Sequence, residues 1–192
     1  MKIPTIVSSS KGLLDAVEYL LDHIHDDKFW NNPNKYAFIL SASATLESLL
    51  NHGIVKWTFL TFPQEHYKRH AMAFLSMNLA KKLDALGYLL SGGKFITDNS
   101  SQHYQSLITL IKLRNEVAHS KDFYSDASFV HCGEEDGVDV YELPKSITDR
   151  FSKSPISIDF AKCESFAEAL KHLSSVLEDE VKLSNSPLFK AL

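Results

Sequence analysis

Apolar residues recur at helical spacing along most of this chain, and little interrupts them. Only seven glycines and six prolines occur in 192 residues, and they cluster between the periodic stretches. A chain patterned this way hides one stripe of each helix against its neighbours, so the expected class is an all-α bundle. The first helix follows the serines at 8–10, with Ser10 as a cap. Leu13, Leu14, Val17, Leu20, Leu21 and Ile24 form its stripe, and it frays near Asp26–Asp27. A turn follows around Phe29–Asn34, with Pro33 in it. A long helix from Asn34 toward Leu60 carries Phe38, Ile39, Ala42, Leu46, Leu49, Leu50 and Ile54, and Pro63 ends the run. A third helix is expected over 65–90, with Met72, Leu75, Leu79, Leu83 and Leu86 inward, stopped by Ser91–Gly92–Gly93. A fourth begins near Ser100 or Ser101 and packs Tyr104, Leu107, Ile108, Ile111, Val117 and Ala118 inward.

The period then changes. Residues 128–144 read as two short strands, Phe129–Cys132 and Val138–Leu143, around an acidic turn with an Asp-Gly pair, the usual signal of a hairpin. A polar loop with Pro144 and Pro155 leads to a final helix over 158–183. Its stripe is Phe160, Phe166, Leu170, Leu173, Val176, Leu177 and Val181, and residues 185–192 form a tail. The expectation is a single domain over 1–192: an antiparallel bundle of about five helices with a small β-hairpin, 128–144, inserted before the last one.

Composition narrows the function. Hydrophobic residues make up 44% and charged residues 23%, ordinary values for a chain with its own core. Two cysteines without paired spacing argue against a disulfide framework or a zinc ribbon. The net charge of −4 is wrong for a surface that binds nucleic acid everywhere, so such a contact has to be local. No apolar stretch approaches the roughly 18 residues that span a bilayer. The N-terminus does not read as a signal peptide, which makes the cytoplasm the expected compartment.

One segment carries chemistry. In LITLIKLRNEVAHS, residues 107–120, an arginine, an asparagine and a histidine lie within six positions near a helix end. Asn115 and His119 are four apart and share a helical face. Arg114 and His119 are separated by roughly 140° on an ideal helix, so Arg114 has to reach around or the helix has to loosen. The pattern Arg114–Asn115–x–x–Ala118–His119, in an amphipathic helix of an all-α chain, resembles the signature of HEPN domains. The helix AFILSASATLESLLNHGI, with small residues and Glu47 interrupting its stripe, is similar as well.

That resemblance implies a metal-independent endoribonuclease, without a cofactor, that works as a homodimer with two Arg–x4–His motifs meeting across one cleft. Arg114, Asn115 and His119 would be its catalytic residues, RNA its substrate, and an antitoxin or regulatory protein its partner in a toxin–antitoxin or antiviral setting. The family also has non-catalytic members that bind nucleotides or RNA or serve as interaction modules, and that alternative stays open. The chemistry suits the residues. RNA carries its own nucleophile, and cleavage needs a base, an acid and a cation at the phosphate. Histidine titrates near neutral pH, and arginine offers a permanent planar fork. Lys112, Lys121, Lys68 and Arg69 are the candidates for holding the substrate backbone. The plain alternative is that His119 caps the helix and Arg114 pairs with Glu116 or another acid.

Other patterns are weaker. His23 and His25 point to different faces. His66 and His70 have metal-binding spacing, but Lys68 and Arg69 between them oppose a cation, so no metal is expected. Ser91–Gly92–Gly93–Lys94 lacks the full phosphate-loop pattern and reads as a helix stop. The acidic group Glu134, Glu135, Asp136 and Asp139 suits a hydrated turn, a cation or a basic partner. Trp30, Trp57, Phe59 and Phe62 read as core or dimer contacts. Neither Cys132 nor Cys163 has a neighbour that would clearly activate it.

Overall fold

The computed structural model describes residues 9–24, 33–118, 128–151 and 155–179. They form α1 (Ser10–His23), α2 (Pro33–Thr61), α3 (Tyr67–Leu75), α4 (Leu79–Leu90) and α5 (Gln102–Ala118). After these come β1 (Val130–Glu135), β2 (Val138–Glu142), α6 (Lys145–Phe151), a 3-10 turn at Pro155–Ser157, and α7 (Phe160–Asp179). The class is the expected one, helical with a two-stranded antiparallel hairpin before the last helix. Among the described residues, no helix is long and apolar enough to cross a membrane.

α2 is the axis of the bundle. Its apolar residues are not confined to one stripe, and it packs against α1, α3, α4, α5 and α7. Phe38, Ile39, Leu46, Leu50 and Ile54 are fully buried. Its buried hydroxyls return to the helix's own backbone: Ser43 Oγ donates to the Ile39 carbonyl at 2.7 Å and Thr58 Oγ1 to the Ile54 carbonyl at 2.8 Å. Leu107 and Leu110 of α5 and Phe166, Leu170 and Leu173 of α7 complete the core.

Cross-helix contacts fix the directions. Ser106 meets Ser165, and the His103 ring stacks on His172, so α5 and α7 run opposite ways. Lys56 Nζ donates to the Leu177 carbonyl, while Lys35 acts on Cys163 electrostatically, so α2 and α7 run the same way. The C-terminal end of α5 therefore lies beside the start of α2.

Five expectations need correction. The stretch 65–90 is two helices, because Asn78 takes an extended conformation and its Oδ1 caps α4 at Lys81 N, 2.9 Å away. Met72 is exposed, and Ala118 is exposed as well. The loop after Pro144 contains α6 and the 3-10 turn; the Pro144 carbonyl receives the N–H groups of Ile147 and Thr148 and starts α6. Ser10 is the first residue of α1 and not its cap; Ser9 holds the cap position and makes no side-chain capping bond.

The stop after α4 is as expected. Gly92 has φ 60, Gly93 N–H donates to the Tyr88 carbonyl at 2.8 Å, and Gly92 N–H donates to Leu89 at 3.2 Å, a Schellman closure. The chain then folds back and buries Phe95, an approach that Gly87 permits, since a Cβ there would meet Thr97 Cγ2 at 3.1 Å. Val181 and the tail lie outside the described residues.

Candidate functional site

α5 presents the motif because its opposite face is anchored. Leu107, Leu110, Ile111 and Leu113 are buried, which leaves Lys112, Asn115 and Glu116 toward solvent and Arg114 half-buried between the two faces. Arg114 Nη1 donates to Asn115 Oδ1 at 3.1 Å. Among the described residues Arg114 has no carboxylate partner, and the contact it makes there is with a neutral amide. His119 and Lys121 lie outside the described residues.

α3, with Lys68 and Arg69, sits at the far end of α2. It is fixed there by edge contacts of Trp57 with Phe74 and of Phe59 with Tyr67, and by His70 stacked on Phe62 at 4.0 Å. A helix of 29 residues is about 43 Å long, so one protomer does not bring Lys68 and Arg69 to Arg114. These aromatics are contacts within the chain, and the His70 ring is already engaged. Among the described residues no group of three His, Cys, Asp or Glu is placed to hold a metal ion. Trp30 and His25 lie outside the described residues.

The motif's helix also lines a groove of about 620 Å³ between α5 and α7. Its walls are polar: Gln105, Ser106 and Thr109 on one side, Asp159, Lys162 and Ser165 on the other. Lys112 is one helical turn beyond Thr109 on the same stripe. No family model, curated protein or solved structure matches this chain. What the arrangement can do therefore rests on its own chemistry. The groove offers hydroxyl and amide donors and acceptors with one ammonium, Lys162, and one carboxylate, Asp159, a set suited to a polar, hydroxyl-bearing ligand, while the Arg114 guanidinium lies farther along α5 and outside its lining.

Burial pushes the Cys163 thiol up to about 12, with Lys35 opposing the effect and Asp159 adding to it, so this cysteine is chemically quiet. His172 is held below its ordinary value by burial and then by His103. His52, whose Nδ1 is buried without a hydrogen-bond partner among the described residues, is lowered by burial and then by Lys56, with Glu178 acting the other way. Tyr104 is raised to about 12, chiefly by its 2.6 Å hydrogen bond to Asp84.

Sequence reasoning missed the groove and one buried cation. Lys82 is only 3% exposed; its Nζ donates to Asn51 Oδ1 at 2.8 Å and lies 3.8 Å from Glu47. The signal was there, since Lys82 occupies a core position in the spacing Leu79, Lys82, Leu83, Leu86. The groove had no such signal, because it exists only where two distant helices meet.

Proposed function

We propose that this chain is a HEPN-like, metal-independent endoribonuclease of the cytoplasm whose active site is completed by a second copy of the same chain. Arg114 binds the scissile phosphate and stabilises its developing charge. His119 transfers protons, and Asn115 positions the guanidinium. The observation that carries the reading is the Arg114–Asn115 hydrogen bond at the exposed end of α5. An arginine fixed by a neutral partner keeps its full charge for an anion.

The 2′-hydroxyl attacks phosphorus as one imidazole takes its proton. The bond to the 5′ oxygen breaks as a second imidazole donates a proton to it, leaving a 2′,3′-cyclic phosphate and a 5′-hydroxyl. The motif gives each protomer one histidine for these two tasks, which is why two copies are required. The polar groove gives ribose hydroxyls and phosphates places to bind, and Lys112 and Lys121 flank the motif. An antitoxin or regulatory protein that restrains the activity belongs to the same reading.

The test is RNA cleavage by wild type and by His119→Ala, with and without a chelator, alongside sedimentation. Cleavage indifferent to chelator and reduced by about 10²-fold or more in a variant that is still dimeric supports the assignment. Cleavage by His119→Ala at the wild-type rate rejects it. RNA binding without cleavage by wild type assigns the chain to the non-catalytic alternative.

A further inference from the structure

The hairpin stands apart from the bundle. Among the described residues, β1 and β2 pair with each other and make no substantial packing contact with a helix. Apart from the half-buried Gly133, every residue of both strands is exposed. Val138 is 65% exposed, Val130 61% and Phe129 53%, values that put large apolar side chains in water on both faces of the ribbon. A two-stranded ribbon without a covering layer is marginal at best, and a third strand is the least addition that gives such a sheet independent stability.

Its two edges differ. β1 is interrupted: the pairing shifts between His131 and Gly133, Cys132 is the extra residue, and Gly133 has φ 133. A bulge of this kind blunts an edge. β2 runs Val138–Asp139–Val140–Tyr141–Glu142 without glycine, proline or a bulge. The tight turn at Asp136–Gly137, with φ 53 and 78, makes Glu135 and Val138 the closing pair. Hydrogen bonds alternate from there, so the backbone groups of Asp139 and Tyr141 point away from β1.

We propose that the open edge of β2 is a docking site for a β-strand of a basic partner protein. This inference is independent of the ribonuclease assignment. Charge selects the occupant. Residues 128–144 hold five carboxylates, Glu134, Glu135, Asp136, Asp139 and Glu142, and no lysine or arginine. That exceeds the whole chain's net charge of −4, so the rest of the molecule nets only +1 and attracts a second copy's hairpin weakly. Two hairpins edge to edge would bring like charges together, and a nucleic acid would be repelled outright. A strand alternating lysine or arginine with apolar residues meets both needs: main-chain bonds to Asp139 and Tyr141, cations on the face that carries Asp139 and, across from it, Glu134, where His131 already meets Asp139 at 3.0 Å, and apolar cover for Val138 and Val140 on the other face.

The test uses the full chain and backbone amide exchange read residue by residue. The probe is a short synthetic peptide alternating lysine and valine. One control has glutamate in place of lysine; another keeps the lysines and replaces the valines with proline, so that it cannot form a strand. The lysine–valine peptide is expected to slow exchange at Asp139 and Tyr141 by about tenfold or more, while neither control does so. In Asp139→Lys/Glu134→Lys, which reverses that face, the preference passes to the glutamate peptide. Equal protection by the proline peptide would reduce the effect to diffuse charge attraction and overturn the proposal. So would absence of protection by the lysine–valine peptide, or concentration-dependent protection of β2 without any peptide, which would make a second copy the occupant.

Discussion

Replacing Asn51 by alanine should destabilise the chain more than removing the charge of Lys82, although Lys82 is the buried ion. Lys82 Nζ donates to Asn51 Oδ1 at 2.8 Å, while its other partner, Glu47, is 3.8 Å away and 47% exposed. Glu47 is thus solvated and screened, and Asn51 provides the closer contact. Deleting the Asn51 amide leaves a buried ammonium without its short hydrogen bond, a loss of about 1.5–3 kcal/mol for a bond to a charged group. Lys82→Met keeps most of the stem's packing and removes the charge itself. The Asn51 amide, only half-buried, turns to water, and the cost should be below about 1 kcal/mol or reversed in sign. On the Lys82→Met background, Asn51→Ala should then cost only a few tenths, giving a coupling of about 1–2.7 kcal/mol. Urea unfolding of the four proteins at neutral pH measures this, provided the denaturant slope stays constant. A Lys82→Met penalty equal to or above that of Asn51→Ala, or strict additivity, would refute the reasoning.

Stability should also depend on pH through His52 and His172, both held below their ordinary value of 6.5 by burial. The native rings resist protonation that the unfolded chain accepts, so their contribution is full above pH 6.5 and is lost as pH falls through the lowered native values. His52→Gln/His172→Gln should flatten the decline in unfolding midpoint below that pH, and an unchanged slope would remove these rings as its source. An aromatic disulfide reagent should modify Cys132 in the native chain and reach Cys163 only after unfolding, since Cys163 is buried with its thiol pushed up to about 12. Two thiols reacting at one rate under native conditions would contradict the packing of α7.

The order of helices was legible because each stripe repeats over several turns and the Asp-Gly pair dictates a tight hairpin. The break at Ser76–Asn78 was hidden because the apolar spacing of Leu75, Leu79 and Leu83 continues across it, while the Asn78 cap acts through one local hydrogen bond. Met72 shows the limit of periodicity: its position fits the stripe, yet α3 is too short and too far along α2 to bury it. Arg114 and Asn115 were visible as candidates because they are neighbours in the chain. The groove, the Lys82–Asn51 contact and the stacked His103–His172 pair join residues 31 to 69 positions apart, and only the pairing of helices creates them.

Among the described residues, the ribbon of β1 and β2 contributes no side chain to the core cluster, so melting it leaves that core covered. The chain should therefore hold two separate thermometers. Probes placed on the strands would follow a shallow, early transition, and probes in the core a later, sharper one, so a single midpoint for the whole chain would average two unrelated events.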